Sequence, residues 1–185
     1  MDNAAALDKE FGLVADLVKL TARDLPDHTT FILDGRRQSY AETIKLMDRV
    51  AAALQRDGVK QREAISVCAS TSIEYATLFL GALSIGVVTA PLAPSSTPEQ
   101  LEGMVKDSGA KLLFLDASTA ESLKNAGDAS TIRISLDGSD CGKPFADWLA
   151  PEGAAVTPVK IEPADPFNII YSSGTTGIPK GIVQS

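Results

Sequence analysis

The chain has 185 residues, enough to bury one sizeable core. Apolar residues make up 44% and charged residues 22%, a balance that excludes an intrinsically disordered chain. The net charge of −7 argues against nucleic acid as a partner, since such binders carry a basic patch, but it leaves room for a nucleotide held by a local group of donors.

The opening Met1-Asp2-Asn3 has no basic segment ahead of an apolar one and is not a signal peptide. Leu7, Phe11, Val14, Leu17 and Val18 recur at helical spacing and predict a helix over residues 7–23 with one docking face. Residues 30–33 and 36–40 read as a β-hairpin around Asp34-Gly35, a pair suited to positive φ at both turn positions. Arg36 and Arg37 sit there as a solvated strand end. Ser39 and Glu42 have capping-box spacing and predict a helix running to residue 56, with Ile44, Leu46, Met47, Val50 and Leu54 inward. Asp57-Gly58 ends it.

Strands and helices then alternate. A strand is expected over residues 64–69, a helix capped by Thr71 and Glu74 up to residue 83, and a strand over 87–91. Thr97-Pro98-Glu99-Gln100 opens the next helix, with proline in its first turn. A strand over 111–115, a helix over 119–125 and a strand over 131–135 follow. Apolar strands alternating with helices predict an α/β fold, a parallel-rich sheet flanked by helices on both faces, with the early β-hairpin beside it. Residues 75–98 carry no charge and are long enough to span a bilayer, but Gly81, Gly86, Pro91 and Pro94 break the run into a buried helix and strand, so no transmembrane segment is expected. Residues 144–149 form a short helical piece pinned by Phe145 and Trp148. Residues 150–164 read as an ordered but irregular connection. It leads to a buried strand over 167–171.

Two cysteines are present, Cys68 in an apolar run and Cys141 in a polar loop. The first reads as a buried strand thiol and the second as an incidental exposed one. Neither has metal-ligand spacing and the only histidine is His28, so no zinc site and no disulfide framework are expected, in keeping with a cytoplasmic protein.

The chemistry lies in Tyr171-Ser172-Ser173-Gly174-Thr175-Thr176-Gly177-Ile178-Pro179-Lys180-Gly181. Gly174 and Gly177 open backbone angles closed to other residues and leave no side chain in the way of a ligand. Successive N–H groups can then face one concavity and hold an anion. Ser172, Ser173, Thr175 and Thr176 add hydroxyls, and Lys180 adds a positive charge. A polyphosphate leaving water needs such charge-assisted hydrogen bonds. The loop is not the Walker type: four residues after Gly174 comes Pro179-Lys180-Gly181, wrong in spacing and in its last residue. No Gly-x-Gly-x-x-Gly opens a helix either.

This run resembles the signature of the adenylate-forming superfamily: acyl- and aryl-CoA synthetases, non-ribosomal adenylation domains and beetle luciferases. Ser39-Tyr40-Ala41-Glu42-Thr43, the segment from Gly81 to Leu92, and Asp107-Ser108-Gly109-Ala110-Lys111 are similar to further family motifs. The Tyr-Ser-Ser-Gly-Thr-Thr-Gly wording is closer to the CoA ligases. The resemblance implies attack of a carboxylate on the α-phosphorus of ATP, giving an acyl-adenylate and pyrophosphate. Coenzyme A then displaces AMP. It assigns the β- and γ-phosphates to Ser172, Ser173, Gly174, Thr175, Thr176, Gly177 and Lys180. ATP, Mg2+ and coenzyme A are the implied cofactors and co-substrates, with a small carboxylic acid as partner. Residues 1–185 are then part of an N-terminal domain. The adenine pocket, the magnesium ligand and the C-terminal domain with its catalytic lysine lie outside, no catalytic residue is in the chain, and the isolated piece is inactive. A stand-alone, non-catalytic phosphate-binding module is the alternative.

Overall fold

The computed structural model describes residues 11–173 and 179–185. The first helix, α1, spans Val14–Asp24, later than expected: residues 7–10 lie outside the described residues, and residues 11–13 are not helical. Ala15 is its buried residue, while Phe11 and Val14 of the expected apolar stripe are exposed. Strands β1 (Thr29–Leu33) and β2 (Arg36–Ser39) form the antiparallel hairpin. Asp34 and Gly35 have φ of 49° and 79°, the positive pair that a tight two-residue turn needs. Arg36 is not simply solvated; its guanidinium meets Glu74 at 2.6 Å.

Helix α2 (Tyr40–Arg56) opens on the expected capping box. Glu42 N–H donates to Ser39 Oγ at 3.2 Å, and Ser39 N–H donates to Glu42 Oε2 at 2.7 Å, which satisfies two otherwise orphaned donors. Then come β3 (Ala64–Cys68), α3 (Ile73–Leu83), β4 (Val88–Pro91), α4 (Pro98–Ser108), β5 (Leu112–Leu115) and β6 (Ile132–Ser135). The cap of α3 is Ser72 rather than Thr71, because the helix starts at Ile73; Tyr75 N–H donates to Ser72 Oγ at 3.0 Å. The helix expected over residues 119–125 is a series of turns. Tertiary partners override its weak propensity. Thr119 Oγ1 donates to Cys68 O at 2.7 Å, and Arg133 Nη2 donates to Leu123 O at 2.6 Å and Ala126 O at 2.8 Å.

A two-residue strand β7 (Lys143–Pro144) leads into a single turn, α5 (Phe145–Trp148). Trp148 is fully buried, stacks edge-on against Phe114 with ring centroids 5.0 Å apart, and donates through Nε1 to Asp57 Oδ2 at 2.7 Å. The connection after it is irregular, as expected, yet tied down. The Gln55 amide donates to Thr157 O and accepts from Thr157 N–H, both at 2.8 Å. Further on, Arg62 Nε donates to Asp165 Oδ1 at 2.8 Å. The chain ends in β8 (Asn168–Ser173) and β9 (Pro179–Gln184).

The large sheet has the order β7-β6-β5-β3-β4-β8-β9, all neighbours parallel except the β8–β9 pair. Strand alternation sorts the core into two layers. Ile65, Val67, Leu112 and Phe114 pack with α2 and α3 on one face. Cys68, Leu113 and Leu115 pack with Leu101, Met104 and Val105 of α4 on the other. Burial and the nearby Asp116 carboxylate push the Cys68 thiol up to about 12, which makes it a packing residue and not a nucleophile. The uncharged stretch from residue 75 to 98 is divided between α3, a turn and β4, and no helix among the described residues is long and apolar enough to cross a membrane.

Gly81 sets the approach of α3 to α2. A Cβ there would lie 2.6 Å from Val50 Cγ1 and 2.9 Å from Met47 O. Gly81→Ala is therefore expected to destabilise the chain by about 1–3 kcal/mol although alanine is the better helix former. A urea midpoint equal to or above wild type would contradict this close crossing.

Candidate functional site

The site is built from the end of β8 and the start of β9. Because β8 is parallel to β4, its C-terminal end lies at the same edge of the sheet as those of β3 and β4. The chain leaves β3 for α3 on one face and leaves β4 for α4 on the other. That divergence opens the crevice in which parallel sheets bind ligands.

Two rails lead to the glycine-rich loop. Ser172 and Lys180 are direct register partners, as are Ser173 and Pro179. Ser172 and Lys180 are both exposed and, being opposite one another, share a face. Lys180 makes no ion pair among the described residues. The structure thus brings Ser172, Ser173 and Lys180 together; Gly174, Thr175, Thr176 and Gly177 lie outside the described residues.

The strand expected to be buried is only half covered. Asn168 is buried, but Phe167 and Ile170 are exposed at 36% and 39%. β8 meets β4 at one register pair, Thr89 with Asn168, and its later residues pair with β9. Ile170 and its partner Ile182 lie on an exposed face, the one that also carries Ser172 and Lys180.

The other face is packed on α4. Tyr171 OH donates to Asp107 Oδ2 at 2.8 Å and lies 3.1 Å from Met104 O. Burial, then the facing Asp107 carboxylate, push the phenol above its ordinary range, so it stays protonated as a donor at neutral pH. Gly181, the register partner of Tyr171, leaves room for this contact: a Cβ there would lie 2.9 Å from Ile169 Cγ2, 3.1 Å from Tyr171 Cε1 and 3.3 Å from Asp107 Oδ2. The last glycine of the motif is thus a packing glycine, which its sequence position beside Lys180 did not reveal.

Sequence reasoning also missed Asp116, at the end of β5. It accepts from Ser70 N–H at 2.7 Å, Ser118 Oγ at 2.6 Å and Thr119 N–H at 3.1 Å. Burial opposes its ionisation, but these donors outweigh that and hold its carboxyl below the usual range. It ties the ends of β3 and β5 at the ligand-facing edge of the sheet. An Asp followed by Ser118 and Thr119 after an apolar strand was the available signal. A cavity of about 450 Å3 lies elsewhere, between α2, α3 and the segment after β6, and none of the loop's rails lines it.

Comparison with known proteins bears on the family and the fold. The profile of the AMP-binding enzyme family matches residues 18–185. The chain is 33% identical over 180 residues to 4-coumarate–CoA ligase 2 of Oryza sativa subsp. japonica, covering 88% of this chain and 32% of that protein. It is 30% identical to the long-chain-fatty-acid–CoA ligase FadD15 of Mycobacterium bovis, covering 91% of this chain and 30% of that one. Among solved structures, the anthranilate CoA ligase AuaEII superimposes with a TM-score of 0.84 at 20% identity, over 100% of this chain and 35% of that one. The N-terminal domain of FACL13 from Mycobacterium tuberculosis gives 0.80 at 25% identity, over 94% and 44%. The chain spans about a third of the length of the curated relatives it matches. The described sheet, with helices on both faces and its hairpin, is the fold of these structural neighbours. The chain belongs to the AMP-binding enzyme family.

Proposed function

We propose that these residues are the phosphate-binding part of an ATP-dependent, AMP-forming carboxylic acid–CoA ligase. The observation that carries the reading is the position of the two strand ends that flank the loop. Ser173 and Pro179, the described ends that flank the Gly- and Thr-rich residues 174–178, lie at the C-terminal edge of a parallel sheet, and Lys180, which makes no ion pair among the described residues, follows on the outgoing rail. The names of the curated relatives support a CoA ligase with an aromatic or fatty acid as substrate.

In this reading Ser172, Ser173, Gly174, Thr175, Thr176, Gly177 and Lys180 hold the β- and γ-phosphates. As the carboxylate oxygen bonds to the α-phosphorus, the bond to the bridging oxygen breaks and charge moves onto pyrophosphate. Donors already aimed at that charge stabilise it with no reorganisation. Coenzyme A then takes the acyl group and AMP leaves. Mg2+ accompanies the triphosphate, with its protein carboxylate outside residues 1–185. The 185-residue chain alone is inactive, and the cell compartment is the cytoplasm.

ATP–pyrophosphate exchange with a panel of aromatic and fatty acids tests this. The full-length polypeptide is expected to exchange with at least one acid, while the isolated chain does not. Absence of exchange with every acid, together with tight binding of inorganic pyrophosphate by the isolated chain, would favour the stand-alone phosphate-binding module instead.

A further inference from the structure

Resting on the ligase reading above, we propose that Tyr171 and Asp107 are positioning residues for the phosphate loop. Their hydrogen bond fastens the C-terminal end of β8 to α4 and thereby sets the affinity for the triphosphate.

Three observations converge on this. First, β8 has a single register pair with β4, at Asn168, and the residues from Ile169 to Ser173 are paired in register with β9. One face of this end is exposed at Ile170 and Ile182, and the other lies against α4. The restraint there is the Tyr171 hydroxyl, immediately before Ser172, which reaches Asp107 Oδ2 at 2.8 Å.

Second, Asp107 is out of place by local rules. It is the penultimate residue of α4, where the helix dipole disfavours a carboxylate. A residue that breaks a local preference needs a compensating contact, and Tyr171 OH supplies it. Third, β9 is thinned where the ring reaches α4. Gly181 is the register partner of Tyr171, and any larger residue would crowd the ring, Ile169 and the Asp107 carboxylate together. Tyrosine, aspartate and glycine, separated in sequence, form one contact whose single consequence is the position of the loop's first rail. Because misplacement of about 1 Å can cost about 100-fold in a reaction of bound partners, such a clamp has kinetic weight.

The test uses the full-length polypeptide and ATP–pyrophosphate exchange. Tyr171→Phe keeps the ring and its packing but removes the donor. Asp107→Leu removes the acceptor, and Asp107→Asn keeps an acceptor oxygen. Tyr171→Phe and Asp107→Leu are each expected to raise KM for ATP by about tenfold, as for the loss of one charge-assisted hydrogen bond at a half-exposed site. KM for the acid stays within about twofold, since uniform binding of the acid is untouched. Asp107→Asn recovers most of the ATP affinity that Asp107→Leu loses. Wild-type KM for ATP in Tyr171→Phe and Asp107→Leu, or equal rises in both KM values, would overturn the proposal while leaving the ligase reading intact. A wild-type polypeptide without exchange on any acid overturns both.

Discussion

Replacing Thr175 and Thr176 together by alanine in the full-length polypeptide is expected to slow ATP–pyrophosphate exchange by about 100- to 1000-fold, the scale of losing donors aimed at developing charge. In sequence the two hydroxyls lie between Gly174 and Gly177. Alanine leaves both glycines and every backbone N–H in place. The change therefore isolates the hydroxyl groups from the shape of the loop. Lost charge stabilisation appears chiefly in kcat, because the pyrophosphate is most charged as it departs, and the KM for the acid moves little. A double variant with wild-type kcat would remove these hydroxyls from the phosphate site and leave only the backbone and Lys180 to hold the anion.

The second large effect is structural. Trp148→Ala is expected to lower the stability of the chain by about 3–5 kcal/mol, against about 5–15 kcal/mol for a whole domain. Trp148 fills the layer between the sheet and the irregular connection, edge-on to Phe114 and tilted over Phe145 at 5.7 Å. Its Nε1–H bond to Asp57 fixes the end of α2 as well. Burial opposes ionisation of Asp57, but the Arg56 and Trp148 hydrogen bonds outweigh it and hold the carboxyl below its usual range. Removing the ring leaves both a cavity and an Asp57 oxygen without its donor. Because Trp148 is the only tryptophan, circular dichroism in urea is the suitable readout. Trp148→Phe separates the two contributions, keeping aromatic packing while losing the donor. A Trp148→Ala midpoint near wild type would show that α5 is not part of the cooperative core.

The parts of the fold that were legible in the sequence are those where local chemistry and tertiary packing agree. The Ser39–Glu42 capping box, the Asp34-Gly35 turn and the apolar run of β3 each state a backbone preference that packing then keeps. Misreadings fell where distant residues decide. Residues 119–125 have helical spacing, yet Arg133 draws the carbonyls of Leu123 and Ala126 to itself. Of the expected docking stripe, Leu17 and Val18 are half-buried, whereas Phe11 and Val14 are exposed and Ala15 is the buried residue of α1. At the site, the glycines, hydroxyls and Lys180 stand out by residue type because anion binding needs those types close together in sequence, and their phosphate role is part of the proposal. Tyr171, Asp107 and Gly181 were not, since their contact joins α4 to β8 and β9 across 64 residues of chain. Asp116 was hidden for the same reason, as its Ser70 partner lies on the far side of α3 and α4 in sequence.

The central claim is that this loop serves attack of a carboxylate on the α-phosphorus of ATP. The most direct measurement supplies the full-length polypeptide with ATP and an acid labelled with oxygen-18 in its carboxylate, then follows the label through to thioester and nucleotide. The account predicts one labelled oxygen in AMP, because the carboxylate oxygen that bonds to the α-phosphorus stays there when the acyl group leaves. Label in inorganic phosphate, with ADP as the nucleotide product, would mean attack at the γ-phosphorus and would contradict it.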